Sequence, residues 1–123
     1  SVICKTFGKV CKNIFLKMRI LDKLMVNKEE MHNPYKHIIV DKEARLIDFE
    51  RCKKTKKPKN VTQFCQYLMS NNIYNILKKK GILFDKKELI KLLKEYKVKR
   101  NERLFKDILK NFNVFLFFFL IFS

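Results

Sequence analysis

Apolar residues recur at three- and four-residue intervals through the first part of the chain, and this spacing constrains the fold more than any other feature. The members of the series are Ile3, Phe7, Val10, Ile14, Met18, Leu21 and Met25. Such a period places apolar side chains along one face of an α-helix and leaves the intervening lysines on the other. We therefore predict an amphipathic helix of about six turns over residues 3–25, at 3.6 residues per turn.

The same spacing predicts three more helices in the second half of the chain. The first covers residues 61–80, and Gly81 follows it as a C-terminal cap. Asp85 with Glu88 three residues later resembles a capping box, which predicts a helix over residues 86–97. The last covers residues 101–112 and has an apolar face formed by Leu104, Phe105, Ile108, Leu109 and Phe112.

Two short apolar runs of β character lie between the first helix and the others. They are His37–Val40 and Ala44–Phe49, and Asp41-Lys42-Glu43 between them suits the turn of a β-hairpin. Polar residues on both sides, 27–36 with Pro34 and 51–60 with Pro58, predict loops. The expected fold is mainly α (α+β), with helices around a short β-hairpin.

The net charge and the numbers of Gly, Pro and Cys limit the possible classes of protein. The chain has 29 Lys and Arg against 12 Asp and Glu, a net charge of +17, which favours an anionic partner. Its two Gly and two Pro favour long helices with short connections. The four Cys form no Cys-x-x-Cys pair, so we expect reduced, mostly buried thiols in a cytoplasmic protein. No signal peptide is visible at the start.

We expect one domain over residues 1–112, followed by a Phe-rich apolar tail, 113–123. A helical membrane span needs about 20 apolar residues, so this tail is too short to cross a bilayer and a membrane partner is not expected. The tail is expected to complete a core or to be prone to aggregation.

The hairpin region contains the residues that suggest chemistry. A polar loop precedes the first β run, and Asp48 with Phe49 ends the second. In kinase-like enzymes such a loop holds a proton acceptor and a metal ligand, while the second strand presents a carboxylate to the Mg²⁺ that bridges the nucleotide phosphates. The residues alone also fit a hairpin that only seals a helical bundle, with Asp48 paired to a neighbouring Lys or Arg.

Three segments in order strengthen the first interpretation. Pro34–Val40, Ile47–Glu50 and Asn60–Thr62 are similar to segments of the small predicted serine/threonine kinases of archaea, relatives of the RIO and lipopolysaccharide-kinase groups. The resemblance covers residues 21–69, about two-fifths of the chain, and corresponds to the C-lobe of a kinase. It implies an ATP- and Mg²⁺-dependent phosphotransferase that acts on a protein serine or threonine or on a small hydroxyl compound.

The resemblance also assigns roles to single residues. Asp48 stands for the Asp of the Asp-Phe-Gly motif and binds Mg²⁺, with Glu50 in place of the usual Gly. His37 occupies the place of the metal-binding Asn, although imidazole suits Mg²⁺ poorly. Counting back from His37 gives His32 as the general base at the ordinary spacing, or Glu30 with a loop two residues longer, and Glu30 is preferred because a carboxylate matches the usual Asp.

Lys36 is expected to contact the transferred phosphate. Other elements of a kinase are missing from the sequence. The sequence has no Gly-rich loop and no strand Lys of the kind that an N-lobe supplies, so the chain is expected to be a C-lobe with the N-lobe absent and to be inactive alone. The alternative is a basic helical module that binds nucleic acid through residues 53–59 and 97–100 without catalysis.

Overall fold

The computed structural model describes residues 2–28, 38–40, 44–46 and 52–113. Within these ranges the chain is mainly helical and has two small antiparallel sheets of two strands each, as the sequence predicts for the fold class. The chain divides into two compact units, one of residues 9–70 and one of residues 71–123 with 1–8, and we describe each by itself. The single domain expected over residues 1–112 stays a prediction.

The first helix, α1, covers Val2–Lys23 and confirms the amphipathic helix predicted at this end. Within residues 8–23, the apolar side chains that it buries are Cys11, Ile14, Phe15, Met18 and Leu21. The helix ends before Met25 because that residue has a φ of 57° and turns the chain away from the helix axis. The N–H of Met25 donates to the carbonyl of Asp22 (3.1 Å), which closes the turn.

Four strands of three residues each follow α1 in the 9–70 unit. They are β1 (Val26–Lys28), β2 (Ile38–Val40), β3 (Ala44–Leu46) and β4 (Cys52–Lys54). Strands β2 and β3 pair antiparallel, which confirms the predicted hairpin, and its turn lies outside the described residues. Strands β1 and β4 also pair antiparallel, so the prediction of loops was wrong at these two places. Polar strands this short have no apolar alternation to reveal them.

The predicted helix over residues 61–80 is two helices, α2 (Asn60–Met69) and α3 (Asn71–Lys79). The prediction of one continuous helix was wrong at Ser70, whose ψ of 146° is extended. The Ser70 hydroxyl donates to the carbonyl of Tyr67 (2.7 Å) and so competes with the helical hydrogen bonds at this point. The break separates the two compact units along the sequence.

Gly81 terminates α3 as predicted, because it adopts the left-handed conformation with a φ of 81°. The N–H of Ile82 donates to the carbonyl of Leu77 (2.9 Å), and the N–H of Gly81 donates to that of Lys78 (3.0 Å). These two bonds make a Schellman motif, which satisfies the last carbonyls of the helix. Leu77 and Ile82 are both buried, which supplies the apolar contact that accompanies the motif.

The last two described helices are α4 (Lys86–Lys99) and α5 (Glu102–Lys110), and each begins with a side-chain cap. Asp85 accepts hydrogen bonds from the N–H groups of Lys87 (2.9 Å) and Glu88 (3.3 Å), which confirms its predicted capping role. The core of this unit consists of Leu77, Ile82, Phe84, Leu89, Leu93, Tyr96, Leu104, Phe105, Ile108, Leu109 and Phe112.

Candidate functional site

The residues that the sequence analysis assigns to catalysis lie outside the described part of the chain. Glu30, His32, Lys36 and His37 fall in residues 29–37, and Asp48 falls in residues 47–51. The structure therefore gives no contacts for these side chains. It does describe the strands to which both segments are attached, and these strands define where each segment begins and ends.

Each segment connects one strand of the β1–β4 pair to one strand of the β2–β3 pair. Segment 29–37 leaves β1 at Lys28 and enters β2 at Ile38, whereas segment 47–51 leaves β3 at Leu46 and enters β4 at Cys52. Lys28 is the register partner of Cys52, and Ile38 is the register partner of Leu46. Partners in an antiparallel pair have Cα atoms about 5 Å apart, so the strand residues that flank the two segments lie side by side at both ends.

The length of the shorter segment sets an upper limit on the distance between the β1–β4 pair and the β2–β3 pair. Residues 47–51 connect Leu46 to Cys52, and an extended chain spans at most about 3.6 Å per residue, so these two residues lie within about 22 Å of each other. The candidate residues are close to described ends in sequence: Lys36 precedes Ile38 by two positions, and Asp48 follows Leu46 by two.

The buried carboxylate of Asp22 accepts hydrogen bonds from the start of α2. Asp22, near the end of α1, is 1% exposed. Its Oδ1 atom accepts hydrogen bonds from the backbone N–H of Asn60 (2.9 Å) and from the Asn60 amide Nδ2 (2.9 Å). Its Oδ2 atom lies 3.4 Å from the N–H donor of Val61. A negative charge at this position satisfies the free N–H groups of a helix N-terminus and interacts favourably with the helix dipole.

The Asn60 side chain connects the same helix end to β1. Its Nδ2 atom donates to the carbonyl of Val26 (2.6 Å), and its Oδ1 atom accepts from the N–H of Lys28 (2.8 Å). In addition, the N–H of Lys59 donates to Oδ1 of Asn27 (2.8 Å). Every residue of β1 is thus bonded to the start of α2 or to the residue before it, immediately before segment 29–37 begins.

Asp22, Lys28 and Asn60 are the residues of this region that sequence reasoning missed. Asp22 follows Met18 by four positions and so falls on the apolar face of α1, where a charged residue indicates a buried polar contact. Lys28 has no exposed surface, and a lysine this deeply buried needs a polar or anionic environment. Nothing in its local sequence distinguishes it from the surrounding lysines.

Cys11 and Cys65 are buried and chemically unreactive. Cys11 and Cys65 are free thiols with 3% and 0% of their surface exposed. Burial raises the pKa of the Cys11 thiol. Burial also raises the pKa of Cys65, to which the neighbouring negative charges of ionised Cys11 and of Asp22 contribute. Both thiols therefore stay protonated at neutral pH and cannot act as nucleophiles. The predicted burial of reduced thiols is confirmed for these two residues.

The chain from β4 to α2 is rich in exposed lysine. Residues 53–59, which we call the lysine segment, contain five exposed lysines: Lys53, Lys54, Lys56, Lys57 and Lys59. The segment is held at several points, since the N–H of Thr55 donates to the carbonyl of Met25 (2.9 Å) and the N–H of Lys57 donates to Oγ1 of Thr55 (3.1 Å). Its charges are thus presented on an anchored backbone.

Comparison with known proteins identifies no relative. No family model matches the chain, and neither a curated protein nor a solved structure matches it. Within residues 2–28, 38–40, 44–46 and 52–113, no group of three or more His, Cys, Asp or Glu residues could hold a metal ion. None of the helices in these same ranges is long and apolar enough to cross a membrane.

Proposed function

We propose that the chain is the C-lobe portion of a kinase-like phosphotransferase that uses ATP and Mg²⁺ and acts on a protein serine or threonine or on a small hydroxyl compound. The observation that carries the proposal is the pairing of Lys28 with Cys52 and of Ile38 with Leu46. This pairing supports a site in which segments 29–37 and 47–51 face each other, because the strands to which they are attached are paired with each other at both ends.

The network around Asn60 supports the same proposal. A phosphoryl-transfer site acts mainly by positioning and by electrostatic stabilisation, so the loop that carries its polar groups must start from a rigid base. Asn60 bonds to the backbone of Val26 and Lys28 and thereby holds the strand that leads into segment 29–37. The Asn60–Thr62 segment, noted above for its family resemblance, has this structural role.

The proposed roles follow the chemistry of the side chains. The Asp48 carboxylate offers the oxygen ligand that Mg²⁺ prefers, and the imidazole of His37, which suits that ion poorly, is assigned to nucleotide binding. Glu30, with His32 as the alternative, accepts the proton of the substrate hydroxyl, and Lys36 contacts the transferred phosphate. Mg²⁺, when bound, neutralises the charge that develops on the phosphates during transfer.

A thermal-shift measurement on the wild type and two variants tests the proposal. We expect Mg²⁺ with ATP to raise the melting temperature of the wild type, because a ligand that binds the native state stabilises it. Asp48→Ala is expected to abolish the rise, whereas Asp41→Ala, which removes the same side chain from the predicted turn, is expected to retain it. No rise in the wild type, or an equal rise in Asp48→Ala, contradicts the proposal.

Phosphate transfer itself is a separate test, because closure over ATP needs a small β-lobe with a Gly-rich loop. This sequence has no such loop, so transfer is expected only when an N-lobe is supplied in the same protein or in trans. Transfer that survives Asp48→Ala unchanged excludes a metal-binding role for this residue.

The lysine segment supports a second candidate function, the binding of nucleic acid without catalysis. Five exposed lysines in seven residues can neutralise phosphates, and such binding weakens steeply as the salt concentration rises. Binding of a duplex RNA or DNA with a steep salt slope, reduced by Lys57→Glu and unaffected by Asp48→Ala, favours this function. Absence of binding at low salt excludes it.

A further inference from the structure

The exposed side of α1 carries a row of apolar side chains that is separate from its buried face, and we call this row the apolar stripe. Leu16, Ile20 and Leu24 follow one another at intervals of four residues and are 41%, 54% and 64% exposed. Residues with this spacing lie one above the other on a helix. The N–H of Leu24 still donates to the carbonyl of Ile20 (3.0 Å), so the helical spacing persists to the end of the stripe.

The stripe ends in an open groove between the end of α1 and the start of the lysine segment. The groove has a volume of about 580 Å³ and is lined by Leu24, Met25, Lys54, Thr55 and Lys56. Leu24 and Met25 form its apolar wall, and the two lysines form its cationic wall. The hydrogen bond from Thr55 to the carbonyl of Met25 joins the two walls, so the groove has a defined shape.

We propose that this groove docks an acidic peptide segment that carries one bulky apolar side chain. The apolar side chain lies against Leu24 and Met25, and the carboxylates beside it interact with the lysines of residues 53–57. Charge complementarity identifies the partner as anionic, because the chain has a net charge of +17 and the described wall of the groove opposite α1 contains lysine and no acid.

The form of the groove favours a peptide over other anions. A nucleic acid has no aliphatic side chain to cover Leu24 and Met25, and the described residues that line the groove include no aromatic side chain to stack on a base. Binding to an anionic bilayer buries a broad apolar face, whereas here two apolar residues share an open groove with two lysines. A protruding Leu, Ile or Phe side chain from an acidic peptide meets both requirements of the site.

This docking surface is independent of the proposed catalytic segments. Lys54 pairs with Val26 at one end of the β1–β4 ribbon, and the candidate segments attach at the other end, at Lys28 and Cys52. Two residues of strand separate the ends, about 7 Å at 3.4 Å per residue. Peptide docking therefore does not require Asp48, and the proposal stands or fails separately from phosphoryl transfer.

Fluorescence anisotropy with labelled synthetic peptides tests the proposal. The probe has three glutamates on each side of one leucine. We expect Leu24→Gln to weaken its binding about tenfold, since the contact buries most of an aliphatic side chain. We expect Lys54→Glu to weaken binding about tenfold or more, because it reverses a charge beside the peptide carboxylates.

Matched substitutions elsewhere provide the controls. Val98→Gln removes an apolar side chain that is 78% exposed, and Lys79→Glu reverses an exposed lysine of α3. Both are expected to bind the probe as the wild type does. Since all four positions are exposed, unchanged urea midpoints will show that every variant is folded.

Four outcomes overturn the proposal. One is equal binding of a probe in which serine replaces the leucine, which indicates a general polyanion surface. A second is loss of binding in the control variants as large as in Leu24→Gln. A third is absence of probe binding at low salt. The last is binding to phosphatidylglycerol vesicles that depends on Leu24 while the peptide does not bind, which assigns the groove to a membrane surface.

Discussion

Removing the Asp22 carboxylate is expected to destabilise the protein far more than removing an exposed helix cap. Asp22 accepts two hydrogen bonds of 2.9 Å from Asn60 and is 1% exposed. Asp22→Ala leaves the buried N–H of Asn60 without its acceptor and removes one of the two acceptors of the Asn60 amide. A hydrogen bond to a charged group contributes about 1.5–3 kcal/mol, and breaking a buried charged contact by removing one partner costs about 3–5 kcal/mol. We therefore expect a loss of about 4 kcal/mol in the free energy of unfolding.

Asp85 is the matched comparison, because it also caps a helix through backbone N–H groups but is exposed. Loss of an exposed cap costs about 1 kcal/mol, so Asp85→Ala is expected to be the milder change. The contrast between the two variants isolates the effect of burial on the same type of interaction.

Urea unfolding followed by circular dichroism measures both variants. With an m-value of about 2 kcal/mol/M, the expected losses correspond to midpoint decreases of about 2 M for Asp22→Ala and about 0.5 M for Asp85→Ala. A total stability of about 5–15 kcal/mol leaves the first variant folded but weakened. If Asp22→Ala costs no more than Asp85→Ala, the buried network does not hold α2 and β1 together.

Three further predictions concern other parts of the chain. Gly81→Ala is expected to lower the unfolding free energy by about 1–2 kcal/mol, because only glycine adopts the left-handed cap without a Cβ penalty; thermal denaturation measures this loss. Burial raises the pKa of Cys11 and Cys65, so the native state keeps both protons to higher pH than the unfolded chain does. The two protonated thiols contribute fully to the free energy of unfolding below about pH 8.5, and this contribution declines as the pH rises further. In urea titrations, a variant with Cys11→Ala and Cys65→Ala is therefore expected to lose stability less steeply than the wild type between about pH 8 and pH 10. Asn111→Ala removes an amide that bonds both the N–H and the carbonyl of Asp85 (2.9 and 3.0 Å), and a decrease in the urea midpoint equivalent to about 1 kcal/mol is expected.

The helices could be predicted from the sequence where a long apolar period or a capping residue marks them. Helix α1 repeats its apolar spacing over several turns, and Asp85 and Gly81 mark helix ends through their own side-chain or backbone chemistry. The break at Ser70 could not be predicted, since the apolar spacing continues across it from Met69 to Ile73. Periodicity detects a shared face but does not show where the backbone turns.

The candidate site was less predictable because its framework depends on pairs of residues that are distant in sequence. Strand β1 pairs with β4 across 26 residues, and neither strand contains an apolar alternation. Asp22 and Asn60 are 38 residues apart, and although the position of Asp22 on the apolar face of α1 indicates a buried contact, nothing in the local sequence identifies Asn60 as its partner. The proposed roles of Glu30, Lys36, His37 and Asp48, which come from resemblance, stay predictions because these residues lie outside the described part of the chain.

Paramagnetic relaxation by Mn²⁺, which takes the oxygen ligands of Mg²⁺, tests the central claim most directly. In amide NMR spectra of the isotope-labelled protein, we predict that substoichiometric Mn²⁺ broadens signals of residues 47–49 and of residues 36–38 together, and that Asp48→Ala abolishes the effect. Broadening confined to one of the two segments, or broadening that persists in Asp48→Ala, would contradict a metal ion bound by Asp48 where the two segments face each other.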